Sequence, residues 1–299
     1  MPSLSQHQSN EYTKIMVLGD PGSGKSGGLT SLVKADYWLG ILDYDNGLDP
    51  LKQFILNQCP EKIENVEYRT LRDKRKASPD GPIIEGAPRA FVEGVRMLDR
   101  WKYKGADGVE VDYGVPGEWG PSRIFVLDSL TMFSDAAFDF REPLVPRSRD
   151  GKYDKRAVYY DAQQAVENVI ALLCSEQFRC NVIVNTHIRY VDNEDGTRKG
   201  YPNSIGSALA TMIGAYFNSI ALCTVGQGGK RFIQTASTAM IDLKNPRPFA
   251  MLPRYPLETG LADFFKVLRE QPEQKEKPEP KVSILTADPN QRRPILRRN

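Results

Sequence analysis

Gly19-Asp-Pro-Gly-Ser-Gly-Lys25-Ser26 is the stretch on which the reading of this chain turns. It fills every fixed position of G-x-x-x-x-G-K-[ST], follows the apolar run Lys14 to Leu18, and opens a helical pattern near Lys25. Glycines let the backbone curl so that successive N–H groups converge on phosphate oxygens, and the helix start adds its positive dipole end. Gly19, Asp20, Pro21, Gly22, Ser23, Gly24, Lys25, Ser26 and Gly27 would cradle the nucleotide. Lys25 is expected to reach the β- and γ-phosphates of ATP, and the Ser26 hydroxyl to ligate Mg2+. A second run, Ile124-Phe-Val-Leu-Asp128, ends an apolar strand in a carboxylate that can orient the same ion.

Outward from the loop, short apolar runs alternate with helical patterns, which predicts an α/β fold with a mainly parallel central sheet flanked by helices. Strands are expected at Lys14 to Leu18, Tyr37 to Asp43, Ile124 to Leu127 and Asn181 to Asn185. Helices are expected at Leu48 to Leu56, Ala87 to Trp101, Tyr159 to Phe178 and near Leu261 to Leu268. Residues 61–86 read as charged and turn-rich, and Gly105 to Pro121 as an excursion holding a small hairpin. Ser219 to Val225 and Arg231 to Thr235, joined by Gly226-Gln-Gly-Gly229, predict a C-terminal β-hairpin. The predicted organisation is a flexible arm (1–11), one ATPase domain (12–269) carrying an insertion (73–122), and a disordered tail rich in proline and charge (270–299).

Bulk properties narrow the function classes. The 299-residue chain has a net charge of +2, too small to advertise nucleic-acid binding, so any such role rests on local clusters. The four cysteines lack CxxC spacing and read as reduced thiols, and with only His7 and His187 a zinc site is not expected. No stretch approaches the roughly 18 apolar residues of a membrane span, and the polar start lacks a signal-peptide core. A cytoplasmic protein without a membrane partner is expected, in a cell or a phage-infected host.

Beyond the glycine loop the motifs resemble, in order over residues 12–265, those of RecA-type recombinases. Gly40-Ile-Leu-Asp-Tyr-Asp45-Asn-Gly-Leu-Asp-Pro50 resembles the stretch after the family's second strand, where an acidic residue positions the attacking water. Val126-Leu-Asp128-Ser129-Leu130 resembles its magnesium strand, Val184-Asn-Thr186-His187-Ile-Arg189 its γ-phosphate sensor strand, and Leu243-Lys244-Asn245 its late lysine motif. The resemblance implies that Asp45 orients water, with Asp43 as a rival more suited to buried structure. The family usually has the longer Glu at Asp45, which implies slow hydrolysis. It further implies that His187 senses the γ-phosphate, unless it is a satisfied strand-end histidine. Lys244 would reach a neighbouring subunit's nucleotide, unless it is an ordinary surface lysine. That trans role implies a homo-oligomer, ring or filament.

Two segments answer to the family's DNA-facing loops. The first carries Arg141, Arg147, Arg149, Lys152, Lys155 and Arg156 with Tyr153, diluted by Glu142, Asp150 and Asp154. The second, Arg189 to Gly206, carries Arg189, Tyr190, Arg198, Lys199 and Tyr201. Cations tracking phosphates beside aromatics that stack bases are what sequence-tolerant single-strand binding requires. A short arm and no separate C-terminal domain resemble the small phage recombination ATPases, in particular the Sak-four type of single-strand annealing protein. This implies a Mg2+-dependent ATPase that binds single-stranded DNA and promotes annealing or pairing, with a single-strand DNA-binding protein as a further candidate partner. A RecA-fold helicase or packaging motor shares every site named. A small-molecule kinase with the arginines of 141–156 as its lid, and an assembly protein with vestigial hydrolysis, are the other readings.

Overall fold

The computed structural model describes residues 11–79, 81–105, 107–148 and 153–270. The expected arm, apart from Glu11, and the expected tail, apart from Glu270, lie outside the described residues.

Eight strands make the central sheet: β1 (Lys14–Leu18), β2 (Trp38–Asp43), β3 (Val66–Thr70), β4 (Gly120–Asp128), β5 (Cys180–Thr186), β6 (Ser219–Val225), β7 (Arg231–Gln234) and β8 (Arg254–Pro256). They lie in the order β8-β7-β6-β1-β5-β4-β2-β3. Pairing is parallel from β6 through β3 and antiparallel only for β6–β7 and β7–β8. This is the expected α/β class with its mainly parallel sheet, and the expected C-terminal hairpin is β6–β7.

The central strands are apolar on both faces because helices cover both. Alternation sends Met16 and Leu18 of β1 into one core and Ile15 and Val17 into the other. The first core receives α4 (Ala90–Asp99), α5 (Leu130–Arg141) and α6 (Lys155–Cys174) through Leu98, Phe133 and Val166. The second receives the helix that follows the glycine loop, in two pieces, α1 (Lys25–Gly28) and α2 (Thr30–Lys34). It also receives α3 (Asp49–Gln58) and, beyond the short α7 (Ser207–Met212), the last helix α8 (Leu257–Arg269). Among the described residues no helix is long and apolar enough to cross a membrane.

Several elements differ from expectation. Strand β3 lies inside the segment read as charged turns; Val-Glu-Tyr-Arg-Thr is a half-exposed edge strand and carries no apolar run to betray it. Helix α5 fills a stretch to which no element was assigned. Helix α6 starts four residues before Tyr159, where the Asp154 carboxylate caps it by accepting from Arg156 N at 2.9 Å. A hairpin forms at the excursion, but its first strand, Lys102–Lys104, precedes Gly105 and pairs with Glu110–Asp112 inside it. The segment after the sensor strand, read as a loop, is a hairpin of Ile188–Asp192 with Arg198–Pro202.

Two buried polar groups tie helices and loops to the sheet. Tyr44 follows β2; its backbone N donates to Asp128 O at 2.6 Å, and its buried hydroxyl donates to Ala90 O at 3.1 Å. A Cβ at Gly94 would collide with that hydroxyl, so α4 needs glycine there despite its helix cost. Lys14 is buried at the start of β1, and its ammonium donates to Phe178 O (2.5 Å) and Cys180 O (2.7 Å). Burial lowers its pKa to about 8.

Gly94→Ala is expected to destabilise the protein by about 1–2 kcal/mol in urea unfolding, since overpacking outweighs the gain of about 1 kcal/mol in helix propensity; a more stable variant would refute the fit. Lys14 gives a signed pH dependence. Between about pH 8 and 10.5 the unfolded chain holds the Lys14 proton more tightly than the folded one, so stability from this group rises with pH across that window. Unfolding midpoints measured across that window should rise more steeply in wild type than in Lys14→Met, where the buried Lys25 still contributes.

Candidate functional site

The phosphate loop joins β1 to α1 at the carboxyl edge of the sheet. Gly22 (φ +77°) and Gly24 (φ +105°) lie in the left-handed region, which lets the turn close as the motif requires. The loop is anchored by Gly19 N donating to Thr186 O at 3.2 Å and Ser23 N donating to Asp20 O at 3.1 Å. Lys25, buried at the start of α1, donates to Gly19 O at 2.7 Å and Asp20 O at 3.3 Å. Burial holds its pKa below the usual lysine value, against the pull of Asp128, Asp45 and Asp20.

Ser26 and Asp128, expected to share an ion, are in direct contact: the hydroxyl donates to Asp128 Oδ2 at 2.7 Å. Asp128 is almost wholly buried, and burial pushes its carboxyl up to about 6, opposed by the Ser26 hydroxyl and reinforced by the nearby Asp45 charge. Asn185 pairs in register with Asp128; its buried side-chain amide makes no hydrogen bond among the described residues, and its nearness favours the charged carboxylate. A hydroxyl and a carboxylate, both hard oxygen donors, fit Mg2+, which takes its remaining ligands from waters and phosphates. Among the described residues no group of three or more His, Cys, Asp or Glu is placed to hold a metal by itself.

Two further candidate catalytic residues, His187 and Asp45, meet over the loop. His187, just beyond β5, has Nδ1 3.4 Å from Lys25 Nζ and Nε2 3.3 Å from Asp45 Oδ2. A neutral ring protonated on Nε2 satisfies both, accepting from the ammonium and donating to the carboxylate. Its backbone N donates to Thr131 Oγ1 at 3.2 Å, fixing it to the start of α5. Asp45 Oδ1 accepts from Ser129 Oγ at 2.8 Å. Burial alone would raise the Asp45 pKa, but the bonds from His187 and Ser129 and the Lys25 charge more than reverse this, so it titrates below the usual range. Asp43 is different in kind: it is buried, accepts from Thr70 Oγ1 (3.0 Å) and Gly47 N (3.3 Å), and burial raises its pKa. Its place is in the scaffold.

Lys244 lies apart from this cluster. Its ammonium donates to Gly214 O (3.1 Å), Ala215 O (3.3 Å) and Phe217 O (2.9 Å) of its own chain. The first cationic segment leaves the end of α5. There Arg141 lies over the Phe140 ring, exposed Arg147 over Tyr153, and Lys155 and Arg156 open α6. Arg149 and Lys152 lie outside the described residues. In the second segment Arg198 stacks on Tyr190 at 4.8 Å and faces Asp192 at 3.6 Å, and Lys199 faces Asp242 at 3.4 Å. Arg189 is exposed and has no partner among the described residues. Tyr190 turns inward instead, donating from its hydroxyl to Asp20 Oδ2 of the phosphate loop at 3.4 Å.

Sequence reading missed Ser129, Thr131 and Asn185, although each lies inside or next to a motif strand. It also missed Arg231 of β7, whose Nε donates to Gly22 O at 3.1 Å. Nothing in the local sequence marks that arginine, which comes from more than 200 residues downstream.

Fold and site together define a class: an α/β fold with a mainly parallel sheet, in which the strand leading into the glycine loop, β1, stands between β5 and the C-terminal hairpin. Among solved structures the chain is similar to the RadB recombinase, at 14% identity over 83% of this chain and 89% of that one, with a TM-score of 0.42. It is also similar to an ATP synthase subunit from Nanoarcheaum equitans, at 14% identity over 73% of this chain and 48% of that one, with a TM-score of 0.34. No family model matches the chain, and no curated protein does.

The His187–Asp45 contact makes a prediction that needs no ligand. In a double-mutant cycle of His187→Ala and Asp45→Ala, urea unfolding should give a coupling of about 0.5–1 kcal/mol, the scale of a half-exposed pair. Additive losses would remove the contact from the description.

Proposed function

We propose that this chain is a Mg2+-dependent ATPase that binds single-stranded DNA and promotes annealing or pairing of strands in homologous recombination, as a homo-oligomer. One observation carries the proposal: a single run of contacts, Lys25–His187–Asp45–Ser129, joins the phosphate loop, the sensor strand, the acidic loop and the magnesium strand. The resemblance of the ordered motifs to RecA-type recombinases supports the DNA half of the reading.

In this reading ATP lies along residues 19–27, and the Lys25 ammonium exchanges the carbonyls of Gly19 and Asp20 for phosphate oxygens. Bound Mg2+ would screen the phosphate charge and polarise the bond that breaks. Asp45, ionised at neutral pH, accepts a hydrogen bond from the attacking water and aims its oxygen at the γ-phosphorus. That oxygen bonds to phosphorus, the bond to the bridging oxygen breaks, and ADP leaves with the electron pair. Asp45 is short and holds both Ser129 and His187, so water gains access only as these contacts loosen; slow turnover follows. His187 contacts Lys25 and Asp45 together, so γ-phosphate arrival displaces it and moves the hairpin that begins one residue later. A trans role for Lys244 requires release from its three carbonyls and belongs to the assembled form.

The test is binding of fluorescent single-stranded DNA with Mg2+, with and without a slowly hydrolysed ATP analogue, over a salt series. Wild type is compared with Lys25→Ala, with Arg189→Ala, and with Arg147, Arg149 and Lys152 changed together to Ala. Nucleotide should strengthen wild-type binding, Lys25→Ala should abolish that response, and each cation removed should lower the salt slope by about 0.7. No binding at low salt in either nucleotide state would end the DNA reading.

A further inference from the structure

We propose that Arg231 is a second phosphate-binding cation of the nucleotide site, acting from within the same chain; this rests on the nucleotide reading above. The topology brings it there. Strand β6 lies parallel to β1, and β7 returns antiparallel to β6 with Arg231 opposite Val225, which carries the start of β7 back beside the phosphate loop.

The side chain is fitted to the loop along its length. Its Nε donates to Gly22 O at 3.1 Å. Its stem crosses Gly24, where a Cβ would stand 2.8 Å from Arg231 Cδ and 2.7 Å from Leu257 Cδ2. Gly24 therefore answers two demands at once, its left-handed φ and the passage of this arginine. Held at Nε and along the stem, the guanidinium loses little further freedom on meeting a ligand, which is the condition for a preorganised contact.

The chemistry left over points to phosphate. A guanidinium has five N–H donors in a planar fork. Only the Nε donor has a partner among the described residues, and the residue is exposed. A brace for Gly22 O needs one neutral donor; a fixed fork with its paired amino groups free suits the oxygens of a nucleoside di- or triphosphate. Lys25 holds the loop carbonyls at Gly19 and Asp20 and Arg231 the carbonyl at Gly22, so two cations grip successive parts of one turn. In the hairpin tip beside it, Gly226 to Gly229, Gln227 carries the one side chain, and Gly228 and Gly229 have positive φ.

The experiment titrates the full chain with fluorescent ATP and ADP analogues in Mg2+, comparing wild type, Arg231→Gln, Arg231→Lys and Lys25→Ala, with melting midpoints for each. Arg231→Gln keeps a donor for Gly22 O and removes the charge; affinity should fall about 10- to 100-fold at an unchanged midpoint. Arg231→Lys should recover part of the loss. Wild-type affinity in Arg231→Gln alongside lost binding in Lys25→Ala would make Arg231 a brace, overturning this inference and leaving the nucleotide site standing. Failure of wild type itself to bind either analogue would overturn both. If Arg231→Gln melts early, Arg231→Lys decides: partial recovery supports the phosphate contact, and a loss equal to that of Gln overturns it.

Discussion

Parallel pairing of β1, β5, β4 and β2 is the constraint from which the rest of the site follows. Parallel neighbours must end on the same edge of a sheet, so the residues that follow them arrive together however far apart they lie in sequence. The edge receives the glycine loop from β1, His187 from β5, Asp128 from β4 and the Asp43-to-Asp45 loop from β2. Register does the fine alignment: Asp43 stands opposite Asp128, and Asp128 opposite Asn185. A slip of one residue in β4 would turn Asp128 to the other face and separate it from Ser26.

The edge is also where the fold carries its electrostatic cost. Asp128 is buried beside the Ser26 hydroxyl, the Asn185 amide and the like charges of Asp45 and Asp43, and Lys25 is buried on backbone carbonyls, so each is shifted toward its neutral form. Asp45 has its charge stabilised, because His187, Ser129 and Lys25 surround it. Two carboxylates within one cluster are thus pushed in opposite directions. Burial moves Asp128 toward its neutral form, and Asp45, the one proposed to face water, stays ionised.

The sequence told most where chemistry and local geometry coincide. The glycine loop carries its structure in its composition, and fully buried strands such as β1 and β5 announce themselves as apolar runs. Ile124-to-Asp128 was legible as a strand ending in a carboxylate, and the two acids after β2 do differ in surroundings: Asp43 bonds Thr70 and Gly47, Asp45 bonds His187 and Ser129. What stayed hidden was decided by partners distant in sequence. The edge strand β3 is too polar to show periodicity. Ser129 acquires its role only because Asp45 lies across the sheet edge, and Arg231 only because an antiparallel return carries it to Gly22. Lys244 matched a motif by order alone, and the carbonyls it binds come from a segment some thirty residues earlier.

His187 stands one residue beyond β5, and Ile188 already begins the hairpin, so no slack separates the group that touches Lys25 from the strand that presents Arg189. The hairpin is held twice more: Gly200 N donates to Met240 O, and the Tyr190 hydroxyl reaches Asp20. Tyr190 and Arg189 alternate along one strand, so one faces the phosphate loop while the next points away. A rotation that drew Tyr190 off Asp20 would necessarily turn Arg189. In the proposed function, phosphate occupancy and the exposed cation would be linked by the period of a β-strand, and coupling between them would need no longer pathway than two adjacent residues.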